Sequence, residues 1–338
     1  MKKKNFLALL LTLTLACGKK DDNSIVVYTN SGTNGRAEYL TELAKENGFE
    51  VNVVFAGGTD ISNRLMAEKN NPIADVVFGL NSIEYEKLKK NNVISKYTPK
   101  WAGEIPEGLS DKDGYYNAVT VTPLLAIYNP NIIIEEDAPK DWIDLGVESK
   151  YKDKYHIFGL DGGTSKVVLA SIASRYKDSN GTLNVSDEGW EVVKQYVQNA
   201  HIQKSEEDWF GNMMSGKRPI TMVWGSGALE RSKANSFEIG IMKPEIGVPF
   251  VVEQLALVKG NENNEINKKF IDWLGSAEVQ EKWAEKFGTA PAHPKALENA
   301  PKETRELVES LKIQNLDWTF ITDNIDSWIE KVQLEYVN

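Results

Sequence analysis

One local pattern recurs along this chain and restricts its fold more than any other feature. An apolar, strand-like run ends in a turn of glycines and small hydroxyl or amide residues, and a helical period follows at once. Ser24 to Thr29 (SIVVYT) leads through Asn30-Ser31-Gly32-Thr33-Asn34-Gly35 into a helix from Arg36 to Glu46. Glu50 to Phe55 (EVNVVF) ends at Ala56-Gly57-Gly58-Thr59-Asp60, and Ala74 to Phe78 ends at Gly79-Leu80-Asn81-Ser82, each before another helical run. Strands that alternate with helices predict a parallel sheet covered on both faces, and such sheets bind ligands at the carboxyl ends of their strands.

The same pattern returns in the middle of the chain. His156 to Leu160 breaks at Gly162 and Gly163, offers Thr164 and Ser165, and passes into Lys166 to Arg175, where Val167, Val168, Ile172 and Ala173 share a helical face. Free first-turn amides and the helix dipole make such an end favourable for an anion. Thr164 or Ser165 as an ordinary N-cap is the competing reading. A further strand, Pro219 to Trp224, precedes the turn Gly225-Ser226-Gly227. Two long apolar segments, 118–128 with Pro123 inside it and 248–258, read as crossings between two lobes, one inserted in the other. Helices from Asn267 to Leu274, Ala277 to Phe287, Lys302 to Lys312 and about Phe320 to Tyr336 complete the chain.

At 338 residues, 41% hydrophobic and 26% charged, the chain has room for about two globular domains. Its N-terminus stands outside them. Three lysines precede the apolar run Phe6 to Ala16, and Leu13-Thr14-Leu15-Ala16 leads into Cys17, the only cysteine. This resembles a bacterial lipoprotein signal, with Thr14 where leucine is usual. It implies a signal peptide over 1–16, acylation of Cys17, and a polar tether over 17–23; the alternative is a plain secretory peptide cut nearby. The run is too short to span a bilayer, so acyl chains alone would hold the protein at the periplasmic side of a membrane or at the cell surface. The formal charge is −10, and loss of residues 1–16 makes the remainder more acidic. That excludes nucleic acid and other polyanions as partners, while backbone dipoles remain able to hold a small anion.

Several segments together resemble a periplasmic-binding-protein type II fold, the solute receptor of an ABC importer. They are Val26 to Thr29, Ala74 to Val77, the crossing Leu124 to Pro130, Trp209 to Trp224 with Gly216 between, Glu253 to Lys259, Phe270 to Leu274, Ala277 to Gln280 and Gly288 to Pro291. Their order and spacing cover essentially residues 24–338. The nearest likeness is to the group that contains ferric-ion, thiamine, phosphonate and sugar-phosphate receptors. The resemblance implies an α/β architecture of two lobes, each a mostly parallel sheet flanked by helices, joined by two crossing strands. The first lobe would comprise 24–122 and 255–300, the second 123–254 and 301–338. It also implies closure over a small solute as the signal to a membrane permease, with the receptor a monomer that carries no cofactor.

Ferric receptors of that group use adjacent tyrosines after the strand that here ends at Trp224, and the chain reads Gly225-Ser226-Gly227 there. His156, His201 and His293 show no metal-ligand spacing. What remains is an anion cradle: Gly163, Thr164 and Ser165 on one lobe, faced by Ser31, Gly32, Thr33, Gly58, Thr59 and Asn81 on the other. Trp224, Gly225, Ser226 and Glu253 are placed to orient an organic portion. Each has a plainer alternative. Thr59 and Asp60 are good helix caps, Trp209 and Phe210 suit a core, Glu253 can neutralise a lysine, and Arg36 and Arg64 suit a solvated helix face. Gly225-Ser226-Gly227 lacks the Gly-x-Ser-x-Gly spacing of a nucleophile elbow, and Gly162 to Lys166 is not a Walker loop, so no enzyme activity is expected. The expected solute is a phosphorylated sugar or phosphonate-like anion, with ferric ion plus a synergistic anion, or thiamine and its phosphates, as alternatives.

Overall fold

The computed structural model describes residues 24–160, 162–204 and 207–337; the apolar run before Cys17, Cys17 and the rest of the tether lie outside the described residues. Among the described residues no helix is long and apolar enough to cross a membrane.

Strands β1 (Ser24–Thr29), β2 (Glu50–Phe55), β3 (Val76–Phe78) and β4 (Ile94–Ser95) precede the long β5 (Asn117–Tyr128). Then come β6 (Tyr155–Ile157), β7 (His201–Ile202), β8 (Ile220–Trp224), β9 (Gly240–Ile241), β10 (Phe250–Val258) and β11 (Ala290–Pro291). Their order is β2-β1-β3-β10-β5-β8-β6-β7. β1 pairs in parallel with β2 and β3, and β6 pairs in parallel with β7 and β8. The two parallel sets are the sheets of two lobes, and β5 and β10 run between them.

Register decides where the strand ends lie. β10 is antiparallel to both β3 and β5, and Leu255 lies opposite Phe78, the last residue of β3. β5 is antiparallel to β8, and Leu124 lies opposite Trp224, the last residue of β8. The carboxyl ends of β3 and β8 therefore both stop at the crossing, each pointing toward the other lobe. Pro123 sits where β5 changes partner: it lies opposite Phe250 of β10, and Leu124 donates to Pro249 instead. A proline has no amide to give a ladder, so a change of partner is a position that tolerates it.

The inner strands are apolar on both faces because helices cover both. Ile25 and Val27 of β1 pack with Leu40, Phe270 and Trp283, whereas Tyr28 faces Ile61, Leu65 and Tyr85. In the second lobe, Leu124, Ala126 and Tyr128 join a cluster with Trp142 and Trp328, while Leu125 and Ile127 join Phe210 and Met213. Helix Gly163–Ala173 is buried almost all round from Val167 to Ala173, as a helix apolar on every face must be. The last helix, Trp318–Glu335, buries Ile321, Ile325, Trp328 and Val332 in the second lobe and also packs along helix Ser82–Lys90 of the first.

Local expectations change at several points, and Gly58 to Asp60, expected in a turn, open helix Gly58–Ala67. The strand expected from His156 to Leu160 runs from Tyr155 to Ile157. The expected turn Gly225-Ser226-Gly227 is the first turn of a helix, Gly225–Asn235. The physical reason is close packing at the crossing: a Cβ on Gly225 would lie 2.7 Å from Pro123 Cγ, so only glycine lets the chain pass straight from strand to helix there.

Candidate functional site

Helix capping separates the cleft from the rest of the molecule. Asp141, Ser186, Asp208, Asn264, Ser276, His293 and Asp317 each place a side chain on an amide of their own helix. At the strand ends the caps are Gly35, Gly57, Gly162 and Trp224, and none makes a side-chain cap. Away from those turns, the helix after Pro301 shares this property. Asn81 is the exception at the strand ends, accepting from Glu84 N at 3.1 Å. After Gly35 backbone carbonyls take the first amides, Arg36 N donating to Thr33 O and Ala37 N to Gly32 O; at the other uncapped turns the amides stay available at the positive end of the dipole.

The structure brings two pairs of expected residues together across the crossing. A Cβ on Gly163 would stand 3.9 Å from Asn81 Nδ2, so the second-lobe helix terminus faces the first-lobe amide directly. With its oxygen engaged in capping, the Asn81 side chain presents its NH2 donors to that gap. Second, Ser31 Oγ donates to Glu253 Oε2 at 2.9 Å. Glu253 reaches this position through a β-bulge, because the β10–β5 register shifts between Glu253 and Gln254. Gln254 anchors the bulge from behind: its Nε2 donates to Ser82 Oγ and to the Leu109 carbonyl, and Tyr85 OH donates to its carbonyl.

Gly79 closes the first-lobe side. Its φ is +93°, and a Cβ there would lie 2.8 Å from Ser31 Oγ and 2.9 Å from Asn30 Oδ1. Asn30, which the sequence reading passed over, also stands 3.5 Å through its Nδ2 from where a Cβ on Gly58 would be. Its place in the same polar turn as Ser31 was the available signal. Gly32 is covered by Phe55, while Thr33 and Thr59 are exposed at the rim.

Other expected residues are engaged elsewhere. Ser165 is buried and donates back to the Phe158 carbonyl at 3.0 Å, leaving the half-buried Thr164 as the accessible hydroxyl of that turn. Ser226 lines a small gap with Pro123, Thr289 and Thr304. Trp224 is 39% exposed, packs on Phe158 at 5.8 Å between ring centroids, and lies over Gly227, where a Cβ would be 2.6 Å from its ring. Trp209 and Phe210 are core. Arg64 pairs with Glu68 at 2.8 Å on its own helix.

The electrostatics of the cleft are set by Glu253. Burial raises its carboxyl above the ordinary glutamate range, and the Ser31 hydrogen bond and the Arg36 charge only partly oppose that. Some of the residue's surface remains open while its carboxylate lies among dense protein, so the raised value follows the carboxylate. A void of about 780 Å³ lies elsewhere. It is lined by Phe250 and Val252, which alternate with Val251 and Glu253 and so mark the opposite face of β10. Two of its carboxylates are already engaged, Asp111 by Lys89 at 2.7 Å and Glu86 by the Tyr116 hydroxyl at 2.7 Å. The expected residues gather at the strand ends and not in that void.

The signature of a family described as bacterial extracellular solute-binding protein covers residues 71–324. A probable ABC transporter periplasmic-binding protein of Sinorhizobium fredii is 33% identical over 313 residues, 93% of this chain and 86% of that protein. A putative 2-aminoethylphosphonate-binding periplasmic protein of Salmonella typhimurium is 24% identical over 303 residues, 84% of this chain and 83% of that one. Among solved structures, a Trichodesmium protein in complex with iron and citrate superposes with TM-score 0.77 at 16% identity, over 93% of this chain and 99% of that one. A ferric binding protein from Campylobacter jejuni gives 0.73 at 19%, over 92% and 98%. At such identities these two likenesses speak to the fold.

Proposed function

The chain belongs to the bacterial extracellular solute-binding proteins, the substrate-binding components of ABC importers, and we propose that its solute is a small phosphonate or phosphate ester that also carries an amine or hydroxyls. The observation that carries this reading is the uncapped Gly163 helix terminus facing Asn81. Backbone amides and an amide NH2 suit a tetrahedral oxyanion by hydrogen bonding, with the helix dipole supplying the favourable potential. Glu253, whose carboxylate is destabilised by burial, favours a cationic or hydroxyl-bearing partner on the other end of the solute. Trp224 offers a flat apolar face between them. The 24% identity to a putative 2-aminoethylphosphonate-binding protein supports the same class, since that solute combines a phosphonate with an amine.

In this reading the division into 24–122 with 255–300 and 123–254 with 301–338 is the division into the bodies that close, and closure is what the permease reads. Acylation at Cys17 would hold the receptor at the membrane; Cys17→Ser is expected to move it into the soluble extracytoplasmic fraction, and unchanged membrane association would refute the anchor.

Thermal unfolding of the protein lacking residues 1–23 tests the solute class. 2-Aminoethylphosphonate or a sugar phosphate at a hundredfold excess over its dissociation constant stabilises by about 2.7 kcal/mol. Stabilisation by ferric ion with citrate or phosphate, with a visible charge-transfer band and no response to phosphonates or phosphate esters, would replace this reading with the iron one.

A further inference from the structure

Outside the cleft, a second group of polar side chains stands without an assigned role. β6 and β7 pair in parallel with His156 opposite His201, and their rings meet edge to face at 5.2 Å. Glu207, in the turn before helix Trp209–Met214, brings Oε2 to 2.7 Å from His201 Nε2. One donor atom from each of the three lies within 4.8 Å of the others, and among the described residues this is the one group of His, Cys, Asp and Glu so arranged. His156 is 1% exposed, and neither of its ring nitrogens has a hydrogen-bond partner. A neutral imidazole carries one donor and one acceptor, and burying both unpaired is unfavourable. An ion pair between His201 and Glu207 accounts for their contact and leaves His156 unexplained.

We propose that His156, His201 and Glu207 form a binding site for a divalent transition metal of the zinc class, separate from the solute cleft. Two imidazole nitrogens and one carboxylate are the borderline donor set that zinc favours, with a fourth position left for water. Calcium and magnesium would prefer an all-oxygen set. Donors around a tetrahedral zinc stand about 3.3 Å apart, so no separation here need close by more than about 1.5 Å. Glu207 sits in a turn and His201 is half-buried, so both have room to move toward the buried His156. Glu207 is already oriented: Asn212 Nδ2 donates to its other oxygen at 2.9 Å, the outer-shell support that carboxylate ligands usually have. The site would tie β6 and β7 to the turn before Trp209. Trp209 in turn meets Phe158, which packs on Trp224 at the cleft.

The chain has three histidines, which makes the test direct. Protein lacking residues 1–23, freed of metal by chelator dialysis, is titrated with Zn2+ alone by calorimetry and by proton–nitrogen spectra of the imidazoles. The proposal expects one Zn2+ per chain and shifts at His156 and His201, with His293 unmoved. His201→Gln and Glu207→Gln are each expected to weaken binding about tenfold or more, the loss typical of altered metal shells, and His293→Gln to leave it unchanged. Circular dichroism confirms that each variant is folded. Failure to bind Zn2+ in the micromolar range, or binding that survives in both folded variants, overturns the site. Because the readout uses no solute, failure of this proposal leaves the solute reading standing, and the converse holds.

Discussion

Ser31 Oγ donates to Glu253 Oε2 at 2.9 Å, joining the turn after the first strand to the bulge of a strand that crosses between the lobes, 222 residues later. This bond couples the first-lobe rim to the hinge region. It also leaves a buried carboxylate with one neutral donor and a more distant Arg36 charge.

Glu253→Gln is therefore expected to stabilise the solute-free protein at neutral pH. The folded carboxyl titrates above its unfolded value of about 4.3, so its contribution is fully present below that value and is lost as pH rises through the folded pKa. The variant should flatten the fall in melting temperature across that window. It should also lose affinity for an amine-bearing solute. A variant less stable than the wild type at neutral pH would show that the surrounding groups satisfy the buried carboxylate.

Gly163→Pro tests the amide cradle without breaking the helix. Position 163 is the first helical residue, where proline is favourable, and Gly162 before it has φ −72° and ψ 144°, compatible with a following proline. Stability should change by less than about 1 kcal/mol, while removal of one amide lowers anion affinity by about tenfold, the equivalent of one lost charge-assisted bond. Unchanged affinity by calorimetry would remove that amide from the site.

Thr164 and Ser165 should separate. Ser165→Ala breaks a buried bond to the Phe158 carbonyl and is expected to cost about 1 to 2 kcal/mol in urea unfolding, with solute affinity retained. Thr164→Ala is expected to do the reverse, sparing stability and weakening binding. The opposite assignment would mean that the anion lies deeper, beneath the helix terminus.

Gly227→Val displaces Trp224, since a Cβ would lie 2.6 Å from its ring. The ring is 39% exposed and can swing outward, so the stability cost should stay near the lower end of the roughly 1 to 3 kcal/mol of overpacked sites. Solute affinity should fall as far as in Trp224→Ala. A Gly227→Val protein that binds normally would exclude the ring from contact.

Much of the architecture was legible from local patterns. The short apolar runs, their glycine turns and the helical periods after them specify parallel α/β units through near-neighbour physics alone, as at Ser24 to Glu46. The two long apolar crossings were visible because strands buried on both faces are mostly apolar, and Glu253 and Gln254 interrupt β10 only where it bulges. Ser31, Asn81 and Gly163 were reachable as candidates because ligands gather at strand ends, whereas Glu253 lies inside β10. Their partnership was not, because it depends on contacts between residues far apart in sequence. The bulge that turns Glu253 toward Ser31, the inward rotation of Ser165, and the approach of Asn81 to Gly163 follow from packing of whole lobes. The histidines illustrate the same limit: His156 and His201 are 45 positions apart with no motif between them, and only the parallel pairing of β6 with β7 sets one beside the other. Short-range hydrophobic periodicity chose the elements; long-range register chose which of their side chains meet.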